Sequence, residues 1–488
     1  CDRDMMNSSL RSAAARGAVW TAVAQIGGQL VMLGVNVVLA RLVSPAEFGT
    51  ASMALVSALV LSAVTQMGLG AAIVQRPKLE ARHYDTAIWM SVLTGAGLGV
   101  AFCASAVPMA NLLKNPALVP VLRLYSALFL LGGMSSVQGA LLTREFRFRD
   151  LALAGLGARL AGALVSVGLA FLGLGVMAIA WGYVALNTLN AVLTMVLSRQ
   201  LRRPGGTFSL AALKEMLGFG SGIMGMNLLN QLANGLDVLV VGRVMGASNT
   251  GFYSVANQLV TYVPSRLGAT LSTVAFPAMA RVQEDKPRLA RAYLELTGFT
   301  ALVTLPMLAG TAVLARDLVP LLFSAKWSSA AVLVPALSVY GAVVAFDWVW
   351  TQALKALGRS WSIAGIVGLR AVGLVAAVVL GARLGLAGVA WAVAGSGLVY
   401  WLAYQLVVGR ALGLGLGAYC RVLARPLAGS VLAGLVMAGF RGHLAGAIVA
   451  GVVVYCLAAL TLNRKVVRRL FGMAKGERQV ANSGQPCV

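Results

Sequence analysis

The sequence predicts an all-α polytopic membrane protein with about fourteen membrane-crossing helices. They form two pseudo-symmetric six-helix lobes plus two extra C-terminal helices. Three observations predict this. First, 59% of the 488 residues are hydrophobic and only 11% are charged, against roughly 25% charged in an ordinary soluble domain. Second, the apolar pattern occurs twice: Gln29, Arg41 and Gly49 return as Gln231, Arg243 and Gly251, each 202 residues on. Third, the basic residues alternate between connecting segments, as topology requires of a multi-pass chain.

The apolar runs place crossings near 17–40, 49–74, 86–110, 118–142, 151–173, 175–198 and 216–241. The series continues at 250–276, 293–314, 329–354, 360–382, 384–408, 421–440 and 443–461. With the N-terminus inside, 28 basic residues fall in inside segments and 8 in outside ones. Arg144, Arg147 and Arg149 are typical of the inside set. This split predicts an even number of crossings with both termini in the cytoplasm. No signal-peptide cleavage pattern precedes the first long run, so that run is expected to stay as a helix.

The repeat continues past its first anchors. Ala81-Arg82-His83-Tyr84 matches Ala290-Arg291-Ala292-Tyr293, and LGVMAIAW at 174–181 matches LGLAGVAW at 384–391. Each half holds an even number of crossings, so the halves have the same orientation. They are parallel repeats about an axis along the membrane normal, and such duplication suits a central path opened to each side in turn. The expected organisation is an N-terminal cytoplasmic tail at 1–16, a first lobe at 17–198 and a cytoplasmic linker at 199–215. A second lobe follows at 216–408, the extra helical pair at 409–461 and a basic cytoplasmic tail at 462–488.

The net charge of +24 does not indicate nucleic acid, because it is spread over short loops and the tail. Topology accounts for most of it, with some contact to anionic lipid headgroups. The five cysteines and two histidines make no metal-ligand or disulfide pattern. No GxxxxGK[ST] phosphate loop is present, and no serine, histidine and acid arrangement suggests catalysis. The Asp2-Arg3-Asp4 triplet lies in a polar tail with no fold around it. The sequence therefore predicts no catalytic residue, no cofactor and no metal.

Charged residues inside the apolar runs stand out, since an ionised side chain at mid-membrane costs about 2.5–3.5 kcal/mol on insertion scales. Three arginines qualify: Arg159, Arg266 and Arg370. Each either holds a phosphate-bearing substrate, which guanidinium matches in shape, or makes a structural pair or a headgroup contact. Asp237 and Asp347 are acids at membrane depth, suited to a proton or cation or to a bridge with an arginine. Gln25 and Gln29 lie one turn apart. Asn227, Asn230, Gln231 and Asn234 follow a three-to-four spacing that puts them on one helix face. With Asn257 and Gln258 they line either a helix contact or a wet cavity.

The stretch VLARLVSPAEFGTASMALVSALVLSAVTQMGLGAAIVQR at 38–76 resembles the first helical hairpin of Wzx-type polysaccharide flippases. These belong to the multidrug/oligosaccharidyl-lipid/polysaccharide exporter superfamily. LLTREFRFRDLA at 141–152 resembles a basic loop of the colanic-acid and teichuronic-acid exporter branch. The resemblance implies movement of an undecaprenyl-diphosphate-linked oligosaccharide repeat unit to the periplasmic leaflet, by alternating access and an ion gradient. It implies a bacterial inner-membrane location, H+ or Na+ as coupling ion, and a polysaccharide polymerase and chain-length regulator as partners. On that basis Arg266, Arg370 and Arg159 are expected at the diphosphate, the amides at the glycan, and Asp237 or Asp347 at the coupling ion. A lipid II flippase or drug antiporter of the same superfamily is the alternative. A periplasm-facing polymerase or ligase is disfavoured, because no long outside loop is present.

Overall fold

The computed structural model describes residues 25, 27–65, 69–76, 79–199, 205–440 and 442–462. The expected tail at 1–16, and that at 462–488 apart from Leu462, lie outside these residues. Every regular element among the described residues is helical. Close contacts divide the chain into two compact units that meet between Phe252 and Tyr253.

In the first unit the chain runs through α1 (Gly27–Leu42), α2 (Pro45–Thr65), α3 (Leu69–Gln75) and α4 (Ala81–Leu112). It continues through α5 (Leu118–Tyr125), α6 (Ala127–Arg144), α7 (Phe148–Phe171), α8 (Val176–Arg199) and α9 (Leu210–Met245). α10 (Ala247–Arg281) straddles the division. The second unit then holds α11 (Lys286–Val313), α12 (Ala315–Phe323), α13 (Ser328–Ala356), α14 (Ser360–Gly381), α15 (Gly385–Leu412), α16 (Leu416–Gly439) and α17 (Leu444–Leu462). Ten stretches among the described residues are long and apolar enough to cross a membrane. Two of them contain two α-helices each: Leu118–Arg144 holds α5 and α6, and Trp361–Leu412 holds α14 and α15. α9 and α10, expected as crossings, are not among the ten.

Duplication shows in the packing of each unit. The pairs α4–α6, α6–α8 and α7–α8 of the first are matched by α11–α13, α13–α15 and α14–α15 of the second. α16 packs on α11 and α17 on α16, which is where the extra C-terminal pair sits.

Local sequence explains the helix starts. Ser44 and Glu47 form a reciprocal cap on α2: Ser44 N–H and Oγ–H donate to Glu47 Oε2 at 2.8 and 2.7 Å, and Glu47 N–H donates to Ser44 Oγ at 3.3 Å. Pro45 takes the first helical position, where its missing N–H has no consequence. Asp285 caps α11 by accepting Arg288 N–H at 3.0 Å.

Two features depart from the expected organisation. The first is that α9 opens the second repeat yet packs within the first unit, on α2, α3 and α4. Glycines make this possible: a Cβ at Gly235 would collide with Val56, and one at Gly242 with Met53. The helix starts meet in the same way. A Cβ at Gly49 would strike the Ala247 carbonyl, and one at Gly251 the Pro45 carbonyl. Pro45 and Ala247, like Gly49 and Gly251, are 202 residues apart. The contact is therefore reciprocal in sequence.

The second departure is the linker, expected at 199–215. It is already helical from Leu210, where Ser209 Oγ accepts Ala212 N–H at 3.3 Å. Before that it is strapped to the start of α4. Gly205 N–H and Thr207 Oγ–H donate to the two Asp85 carboxylate oxygens at 2.9 and 2.7 Å. Ser209 N–H donates to Thr86 Oγ1 at 3.0 Å, and Trp89 Nε1–H to the Gly205 carbonyl at 3.1 Å.

Candidate functional site

The second unit buries an ion pair within an aromatic surround. α13 supplies Tyr340 and Asp347, two turns apart on one face, and α14 supplies Arg370 from its middle. Arg370 Nη1 donates to Asp347 Oδ2 at 3.0 Å, and Nη2 donates to Tyr340 Oη at 2.7 Å. The guanidinium carbon lies 5.7 Å from the Tyr340 ring centre and 5.3 Å from that of Tyr400 on α15. Such contacts hold a cation over the negative face of the ring. Trp350 stacks on Tyr404, whose ring meets Tyr400 edge-on at 4.6 Å.

This pair is strongly withdrawn from its surroundings: the Arg370 side chain is 11% exposed and that of Asp347 21%. Breaking a buried pair by removing one partner costs about 3–5 kcal/mol, because the other charge is left uncompensated. The pairing is also incomplete. Arg370 Nε and Asp347 Oδ1 are buried and have no hydrogen-bond partner. Two residues expected in separate roles, one at the diphosphate and one at the coupling ion, thus lie on each other.

The remaining expected residues lie elsewhere. Arg159, on α7 in the first unit, is half-buried and covers Gly28 of α1, where a Cβ would collide with its guanidinium. Gln29, the next residue, and Gln25 are half-buried. Arg266 on α10 is exposed, with its guanidinium 5.5 Å from the centre of the Tyr262 ring. On α9, Gln231 is half-buried, Asn234 exposed and Asp237 buried. The side chains of Asn227 and Asn230 lie outside the described residues. Asn257 and Gln258 on α10 are half-buried.

A signal that relates the two arginine sites is present in the sequence. Gly157-Ala158-Arg159-Leu160-Ala161-Gly162 and Gly368-Leu369-Arg370-Ala371-Val372-Gly373 share a G-x-R-x-x-G pattern at an offset of 211 residues. The pattern aligns Arg159 with Arg370. At that offset Ser136 and Phe129 stand opposite Asp347 and Tyr340 in sequence. The carboxylate and phenol that hold Arg370 have no counterpart of their kind at the matching positions of the first unit.

A second polar cluster joins the first unit at the cytoplasmic end of the expected topology. Arg76 pairs with Glu215 at 2.5 Å, and buried His83 lies 2.6 Å from Arg76 Nη1 and 3.3 Å from Glu215 Oε2. The Arg76 hydrogen bond, then that of His83, holds the Glu215 carboxyl below its ordinary pKa. Arg144 braces the same corner by donating to the Ile73 carbonyl at 2.7 Å. Among the described residues no group of three or more His, Cys, Asp or Glu side chains is arranged to hold a metal.

These features define an all-helical, multi-pass membrane protein of duplicated design with charged groups held at membrane depth. Solved structures share the fold. A lipid II flippase, MurJ, in an inward closed conformation superposes with a TM-score of 0.76 over 92% of this chain and 100% of its own, at 13% identity. An inward-facing multidrug resistance MATE family transporter of the MOP superfamily gives a TM-score of 0.63 over 79% of this chain and 94% of its own, at 16% identity. The chain belongs to the polysaccharide biosynthesis protein family, whose model matches residues 38–332.

Named relatives agree. The lipopolysaccharide biosynthesis protein WzxC of Escherichia coli is 28% identical over 341 residues, 68% of each chain. The teichuronic acid biosynthesis protein TuaB of Bacillus subtilis is 24% identical, covering 87% of this chain and 88% of its own. The succinoglycan biosynthesis transport protein ExoT of Rhizobium meliloti is 25% identical over 95% of this chain and 96% of its own.

Proposed function

We propose that the protein is a flippase for cell-surface polysaccharide synthesis. It carries an undecaprenyl-diphosphate-linked oligosaccharide repeat unit from the cytoplasmic to the periplasmic leaflet of the bacterial inner membrane by alternating access. The observation that carries this reading is similarity to a named succinoglycan transport protein over 95% of the chain, on a duplicated fold with arginines at membrane depth. The work is transport without covalent chemistry. The diphosphate needs a cationic partner to leave the headgroup region, and desolvated guanidinium is well matched to phosphate oxygens.

In this reading Arg370, Arg159 and Arg266 serve the diphosphate in turn. Gln25, Gln29, Asn227, Asn230, Gln231, Asn234, Asn257 and Gln258 offer hydrogen bonds to sugar hydroxyls. Asp347 or Asp237 couples the cycle to H+ or Na+. Both termini lie in the cytoplasm, where the basic segments face the side from which substrate arrives. A polysaccharide polymerase and a chain-length regulator receive the product.

The leaflet position of the lipid-linked repeat unit, in cells with and without the gene, tests the proposal. Accumulation on the cytoplasmic side of the deletion strain, reversed by the wild-type gene, is the expected result. Normal translocation with altered chain length or attachment would assign the protein to polymerisation or ligation instead.

A further inference from the structure

The Arg370 site has the form of an anion site that already holds an anion. Its guanidinium is fixed by groups other than the carboxylate: the Tyr340 hydroxyl at 2.7 Å and the faces of Tyr340 and Tyr400. The carboxylate contributes a single 3.0 Å contact. A strong arginine–carboxylate pair uses two parallel bonds. Here Arg370 Nε and Asp347 Oδ1 are both left buried without a hydrogen bond.

We infer that Asp347 is a resident stand-in for the substrate phosphate. It neutralises Arg370 while the site is empty and is displaced when the diphosphate binds. This rests on the reading of Arg370 as a diphosphate residue and adds its regulation. A phosphate that takes Arg370 Nη1 takes the donor that Asp347 holds, so binding of one releases the other. The released carboxylate is then an acid at membrane depth without its cation, and it takes up the coupling ion. Substrate binding and ion binding are thereby linked through one arginine, each favouring the other. The titratable groups facing Asp347 are Tyr340 on its own helix, Arg370 on α14, Tyr400 and Tyr404 on α15, and Tyr419 on α16. All but Arg370 are phenols, so Asp347 is the acid of the cluster.

The test is binding of inorganic pyrophosphate and of undecaprenyl diphosphate to the purified full-length protein in lipid nanodiscs. Asp347→Asn, which keeps shape and removes charge, is expected to bind both probes about tenfold more tightly than wild type. Arg370→Ala is expected to lose about tenfold or more. The charge-swapped Asp347→Arg/Arg370→Asp protein keeps a pair and reports on folding; it is expected to be as heat-stable as wild type and to bind neither probe. If Arg370→Ala weakens binding but Asp347→Asn leaves it unchanged or weaker, the exchange is wrong and the diphosphate role of Arg370 stands. If Arg370→Ala binds both probes as wild type does, the diphosphate role itself fails.

Discussion

Asp85 in the first unit and Asp347 in the second are held differently. In the first, Asp85 sits at the start of α4 and is satisfied by a backbone N–H and a threonine hydroxyl of the linker. In the second, Asp347 sits within a crossing and faces Arg370. The frame is duplicated, with α4–α6–α8 answered by α11–α13–α15, but the charge is not. An acid bonded to neutral donors fastens a connection in place. An acid bonded to an arginine at membrane depth makes a group that can exchange partners. Duplication supplied one scaffold twice, and the two copies differ in where they hold charge.

The comparison breaks most visibly at Asp347. Replacement by alanine leaves Arg370 buried without its counter-charge, and a loss of about 3–5 kcal/mol is expected in thermal unfolding of the purified protein. Asp85→Ala removes hydrogen bonds from neutral donors only, for an expected loss of about 1–3 kcal/mol. Faster protease cleavage of the linker should accompany it. Equal losses at the two sites would erase the distinction drawn between them.

The smallest effect belongs to Glu215. Its folded pKa is lowered by Arg76 and His83. Its contribution is thus present above the ordinary carboxylate value of about 4.3 and is lost as pH falls through the lower folded value. Thermal stability should decline slightly more steeply with acid in wild type than in Glu215→Gln. Parallel pH curves would remove Glu215 from the account.

Much of the architecture was legible because membrane insertion writes itself into composition. Apolar runs, the 202-residue repeat and the alternation of basic loops each reflect a local cost. Partnership was less legible. Arg370 and Asp347 are visible as charges in apolar runs, but their contact depends on how α13 and α14 are rotated against each other. Arg266 is visible in the same way, but its contact with Tyr262, one turn away on its own helix, is not. The placement of α9 with the first unit follows from close approaches at Gly235 and Gly242, and glycine alone does not say which helix will approach it. The linker strap was hidden because two of its donors are backbone N–H groups of Gly205 and Ser209.

The central claim is that this chain moves a diphosphate-linked glycan across a membrane through an arginine held within the bilayer. Reconstitution of the purified protein into liposomes, with a labelled undecaprenyl-diphosphate oligosaccharide in one leaflet, measures it directly. The account predicts transfer of the labelled glycan to the opposite leaflet by wild type and little by Arg370→Ala protein folded to the same extent. Transfer no faster than in protein-free liposomes, under an imposed H+ or Na+ gradient, would contradict it.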